Sequence, residues 1–138
     1  MNILLINADQ LRHDCVGYRK MRPVRTPNLD ALASESVWYE NAFTPLPVCS
    51  PARQAILCGR RPDSFGAQWN YDFMPTPELD PAICWPGLLK EKGWNLGYVG
   101  RVHVSASRNP QDFGFTDFVD MKRYNREVAP KYADIPMT

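Results

Sequence analysis

The sequence predicts an α/β fold with a mostly parallel sheet flanked by helices, and three observations carry that prediction. Two short apolar runs without alternation, NILLIN at the start and WNLGYVG at residues 94–100, read as strands buried on both faces, as in parallel sheets. The segments between them carry helix start and stop signals, so strands and helices alternate along the chain. Polar clusters stand directly after these strands or at the start of a helix, the edge where such sheets bind ligands.

Each element has its own local signal. NILLIN ends in Ala8-Asp9-Gln10 and reads as the first strand. In RTPNLDALASES, Thr26 is placed to cap a helix, Pro27 suits its first turn, Asp30 lies near the positive end, and Leu29 and Leu32 mark one apolar side. VWYENAFT, residues 37–44, is expected as a short strand. SPARQAILCG is expected as the next helix, with Ser50 as N-cap, Pro51 at the first helical position and Gly59 just past the end. Residues 61–80 read as loop. DPAICWPGLLKEKG is helical with an irregular start at Pro86. WNLGYVG is the second buried strand and FTDFVDM a third, weaker one. From Lys122 the chain is polar and broken by prolines, which reads as a tail or connection.

Composition excludes several classes. A chain of 138 residues suffices for one domain with a core, and its net charge of +1 argues against nucleic acid and acidic membranes as partners. The longest apolar run, Ile3 to Ile6, is far too short to span a bilayer. Met1 and Asn2 lead into it without a basic start or a long apolar region, so no secretory signal is visible and a cytoplasmic location is expected. Cys15, Cys49, Cys58 and Cys84 show no CxxC pairing, so neither a zinc cluster nor a disulfide framework is indicated. The 13 prolines are spread along the chain and punctuate elements; no repeat or low-complexity tract is present.

Three clusters carry possible chemistry. Cys49 precedes a capped helix, where unpaired N–H groups and the helix dipole stabilise a thiolate or oxyanion, and Arg53, one turn on, can fork onto an anion. The alternative is a small buried cysteine ahead of an ordinary helix. Asp9 and Gln10 offer two oxygen donors at a strand end, suited to a hard cation, or they are a loop pair bonding nearby backbone. Arg101 and His103 follow a strand at alternate positions, and in extended geometry they project together as an anion clamp with a general acid, or as a solvated strand end. Trp69, Tyr71 and Phe73 in the long loop either line a sugar or aryl pocket or pack against their own protein.

These residues also carry a resemblance. CSPAR fits Cys-x-Pro-x-Arg, the sulfatase motif whose cysteine is oxidised after translation to formylglycine. NILLINADQLRHD resembles the sulfatase first strand with its metal-binding pair, and TPNLDALASESVWYENAFT the family's first helix and following strand. CGRRP is similar to Thr-Gly-Arg-x-Pro, and GYVGRVHVS to Gly-Tyr-x-x-Gly-Lys-Trp-His. The matches run in the family's order from residue 3 to about residue 120.

The resemblance implies an alkaline phosphatase-like fold and hydrolysis of sulfate esters, those of small molecules or saccharides, through a formylglycine nucleophile and a divalent metal. Ca²⁺ is expected, with Mg²⁺ or Mn²⁺ as alternatives. It makes Cys49 the formylglycine precursor and a metal ligand, and a maturation enzyme is implied as a partner. Asp9 and Gln10 become metal ligands, Arg53 steadies the aldehyde hydrate, and Arg101 and His103 stand near the sulfate or leaving oxygen. Two positions depart from the pattern. Gln10 replaces the commoner second aspartate and removes a negative charge, as in the branch resembling phosphonate monoester hydrolases. Arg101 replaces lysine, keeping the charge while changing a point donor to a fork that does not readily deprotonate.

The resemblance covers only the N-terminal part of a sulfatase. It assigns residues 1–121 to the catalytic α/β domain and 122–138 to a connecting or tail segment. Further metal ligands, a second histidine and lysine, and a smaller domain would come from a missing C-terminal part, so the fragment alone is expected to be inactive. Asp117 and Asp120 are read as structural. The rival readings are a phosphonate monoester or phosphodiester hydrolase of the same superfamily, and a noncatalytic binding module with an unmodified Cys49.

Overall fold

The computed structural model describes residues 1–132, in two compact units, Met1–Ala42 and the described residues from Phe43 onward. Hydrogen bonds to three side chains organise the first unit. Helix α1 (Pro27–Ser34) follows Thr26 as predicted, with Pro27 in its first turn. The Thr26 hydroxyl makes no cap bond. It accepts from the Gly17 N–H at 2.8 Å and donates to Asp30 Oδ1 at 2.7 Å, and that same oxygen accepts from the Tyr18 N–H at 2.6 Å. A Cβ on Gly17 would stand 2.5 Å from Asp30 Oδ2, so a larger residue there would push the Asp30 carboxylate aside. Asp14, buried, accepts from Arg12 Nε and Nη2 at 2.9 and 2.8 Å and from Arg22 Nε at 3.0 Å.

Two predicted strands do not form here. NILLIN pairs with no neighbour among the described residues, and Ile3, Leu4, Leu5 and Ile6 are 63–84% exposed. Apolar side chains supply only part of what a strand needs; its N–H and C=O groups also need a ladder partner. VWYENAFT is irregular for the same reason. It turns at Glu40 and Asn41, with Glu40 drawn to Arg19 at 2.7 Å and the Trp38 ring set against Tyr18.

The second unit holds the sheet and the core. Helix α2 (Cys49–Cys58) starts one residue before the predicted cap: Val48 is the N-cap, Cys49 the first helical residue, and Ser50 and Pro51 lie inside the first turn. The Ser50 N–H is already satisfied by Asn70 Oδ1 at 2.8 Å, a cap delivered from the loop, so the serine does not need to stand outside the helix. The helix ends as predicted at Gly59, at φ 64°, whose N–H returns to the Ala55 carbonyl. The irregular start near Pro86 is a 3-10 turn, Pro81–Ile83, capped by Asp80, followed by α3 (Trp85–Glu91).

Strands β1 (Gly97–Val99) and β2 (Asp117–Val119) pair in parallel, Tyr98 opposite Phe118. They confirm the parallel sheet, and among the described residues it has these two strands. Leu57 of α2, Leu79, Cys84, Leu96, Val104, Phe113 and Phe115 form the core beneath them. Asp120 caps the short helix α4 (Met121–Arg123) by accepting from the Arg123 N–H at 2.6 Å, the structural role expected of it. Helical turns continue through Tyr132; the rest of the expected tail, 133–138, lies outside the described residues. Among the described residues no helix is long and apolar enough to cross a membrane.

Candidate active site

In the second unit the start of α2, the loop around residues 70–77 and the segment after β1 meet. Cys49 opens α2 half-buried, and Arg53 follows one turn on, the spacing that sets two side chains on one helix face. Arg53 Nη1 donates to the Arg101 carbonyl at 2.8 Å, and the Tyr98 hydroxyl donates to the same oxygen at 2.7 Å. That carbonyl is thereby fixed by a side chain from α2 and one from β1. Burial pushes the Tyr98 phenol above its ordinary value, with Arg53 acting against it.

Arg101 Nη2 lies 3.1 Å from His103 Nδ1, and His103 Nε2 lies 2.7 Å from Asp72 Oδ2. The Tyr71 ring packs edge-on against the imidazole at 4.9 Å, and the phenol is pushed up by burial and then by Asp72. The His103 ring is buried, while the Asp72 carboxylate is half exposed. Below them Gln54 Nε2 donates to the Val104 carbonyl at 2.8 Å, tying α2 to the segment that carries His103.

The pairing of Arg101 with His103 arises differently from the prediction. The strand ends at Val99, so the two residues are not on an extended ladder. Gly100 at φ 113° turns the chain and His103 itself sits at φ 50°, a left-handed backbone that few residues other than glycine adopt. The imidazole is brought to Arg101 by that bend. Asp9 and Gln10 belong to the first unit, where they form an exposed turn with Gln10 also left-handed at φ 58°.

Sequence reasoning missed Asp72 and Asn70. Their neighbours Trp69, Tyr71 and Phe73 drew attention to the loop, but an acid and an amide among loop residues carry no local mark of the helix end and the imidazole they serve. A cavity of about 290 Å³ lined by Pro81, Gly87, Gln111 and Gly114 shares no residue with this cluster.

Chemically, the cluster offers guanidinium forks and helix N–H groups for an anion, and an oriented imidazole for a proton. A cation fits less well. Among the described residues no group of three or more His, Cys, Asp or Glu converges to hold one, and Asp9 with Gln10 supplies two side-chain oxygens where Ca²⁺ takes about six or more.

Comparison with solved structures gives the class. The chain shares the alkaline phosphatase-like α/β fold with the sulfatase yidJ of Bacteroides fragilis, at TM-score 0.62 and 37% identity over 74% of this chain and 23% of that one. It shares it also with Ps i-CgsB, at TM-score 0.68 and 24% identity over 93% and 31%. The chain belongs to the sulfatase family, whose model matches residues 1–135. It is 38% identical to an ulvan-active sulfatase of Formosa agariphila over 78% of this chain and 20% of the relative. It is 35% identical to an arylsulfatase of Clostridium perfringens over 78% and 22%, and 38% identical to mouse iduronate 2-sulfatase over 81% and 20%. The chain therefore spans about a fifth of the length of the curated relatives it matches.

Proposed function

We propose that this chain is the N-terminal portion of a sulfatase that hydrolyses sulfate esters through formylglycine made from Cys49. Family membership supports the reaction class. The observation that carries the residue assignment is the meeting of Arg53, Arg101 and His103 at the helix whose first residue is Cys49.

In this reading Cys49, oxidised by a maturation enzyme to the aldehyde and hydrated, presents a hydroxyl as nucleophile toward sulfur at the positive end of α2. Arg53 and Arg101 stabilise charge on the nonbridging sulfate oxygens. His103 hands a proton to the departing alcohol oxygen. Asp9 and Gln10 contribute two oxygens toward a divalent cation that needs further ligands. The described residues do not complete that set.

The test is mass spectrometry of the tryptic peptide Thr26 to Arg53 after coexpression with a formylglycine-generating enzyme. Loss of the Cys49 sulfur and gain of a carbonyl is expected; an intact thiol after verified maturation of a control substrate overturns the assignment. Gln10 favours a second reading, because a neutral amide leaves the site less negative than a carboxylate pair would. Rates of the complete enzyme on an aryl sulfate and an aryl phosphonate separate the two, the sulfate being faster if the main reading holds.

A further inference from the structure

We propose that Asp72 is a positioning residue that fixes the proton of His103 on Nε2 and turns Nδ1 toward Arg101, making Nδ1 the nitrogen that exchanges a proton at the reaction centre. Its catalytic meaning rests on the sulfatase reading; its geometry does not. A guanidinium carries N–H donors and no acceptor, so the 3.1 Å approach of Arg101 Nη2 to Nδ1 requires a lone pair there. A neutral imidazole has one N–H, which must then be on Nε2, 2.7 Å from the Asp72 carboxylate. Both contacts agree on one tautomer.

The charged and titratable groups around the ring fit this arrangement. Asp72 faces Nε2, Arg101 faces Nδ1, and the Tyr71 ring packs edge-on against the imidazole. Glu78 is close enough to act on the Tyr71 phenol, and Arg53 donates to the Arg101 carbonyl beside the ring. Among the described residues Asp72 is the carboxylate bonded to the imidazole, in the place of an orienting acid. An ester oxygen drawn to Arg101 meets Nδ1. In the imidazolium form Nδ1–H no longer accepts from Arg101, whose guanidinium then turns to the sulfate oxygens; the N–H bond breaks as the O–H bond of the leaving alcohol forms, and the ring returns to the neutral Nε2–H form still held by Asp72. The left-handed backbone of His103 places the ring between these two partners.

The test is NMR of the ¹⁵N-histidine-labelled 138-residue chain, with His13→Gln removing the other histidine signal. About two pH units above the ordinary imidazole value, His103 is expected to show a downfield, slowly exchanging proton coupled to Nε2, with Nδ1 unprotonated. Asp72→Ala is expected to speed exchange of that proton by about tenfold or more, the loss of a charge-assisted bond. Asp72→Asn, which still offers an oxygen, keeps the resonance and shifts it upfield. A proton found on Nδ1, an Asp72→Ala spectrum with unchanged exchange, or an Asp72→Asn resonance that does not move would overturn the proposal. These resonances are read whether or not Cys49 is modified, so a failure here is separate from a failure of the sulfatase reading.

Discussion

At the scale of the residue, the four cysteines show how position decides chemistry. Cys84 is fully buried, its Sγ is held 3.3 Å from the Asp80 carbonyl, and burial pushes its thiol up to about 11. Cys15, Cys49 and Cys58 are only partly buried. Timed alkylation at neutral pH, read by peptide mass spectrometry, is therefore expected to label Cys84 last; labelling of Cys84 ahead of Cys49 would contradict the packing. Cys49 needs no thiol to hold the helix start, because Asn70 satisfies the Ser50 N–H there. Cys49→Ala is accordingly expected to leave the thermal melt of the chain within about 0.5 kcal/mol of the parent, the range for changes that touch no core or cap, while abolishing sulfate ester hydrolysis in the complete enzyme. Retained turnover would remove Cys49 from the nucleophile's place.

At the scale of the element, the bonds that matter come from distant parts of the sequence. Removing the Asn70 amide strands a helix N–H, so Asn70→Ala should cost about 1 kcal/mol in urea unfolding. Gly114, at φ 109°, brings its chain so close to α3 that a Cβ would lie 2.7 Å from the Gly87 nitrogen and 2.9 Å from the Pro86 carbonyl carbon. Backbone cannot yield there as a flexible side chain could. Gly114→Ala is expected to cost about 3 kcal/mol, from overpacking and a strained positive φ together. In the first unit Asp14 is held well below the usual carboxylate range, chiefly by its hydrogen bond from Arg12 and then by that from Arg22. A lowered folded value means that the stabilisation is complete above the unfolded value of about 3.9 and is lost as pH falls through the folded value beneath it. Amide exchange of residues 12–22 should accordingly accelerate only at the acid end, and Asp14→Asn should remove that dependence while weakening the unit at neutral pH. An acid profile unchanged in the variant would assign the dependence to another carboxylate.

At the scale of the whole molecule, what was legible in the sequence was whatever depends on neighbours a few residues away. Gly59 as a helix end, Pro27 in a first turn, the irregular start near Pro86 and the apolar runs that become β1 and β2 all follow from local rules. So did the choice of Arg53, Arg101 and His103, three of the residues that meet. Asp72 and Asn70 could not be read, since their partners lie 31 and 20 residues away. NILLIN was misread for a related reason: its apolar character was plain, but a strand exists only where a partner completes its ladder. The consequence is a contiguous run of four exposed side chains, Ile3 to Ile6, whose backbone joins no ladder among the described residues. Burying such side chains is worth about 1.5 kcal/mol or more each, and an apolar run with open backbone is a template for pairing with another chain. The chain is therefore expected to self-associate as its concentration rises, with a sedimentation coefficient that climbs across the micromolar range. Leu4→Lys, at the most exposed of the four, should suppress the rise without changing the melt of the second unit, because a charge in the run must be desolvated to pair. Association that persists undiminished in Leu4→Lys would place the adhesive surface elsewhere.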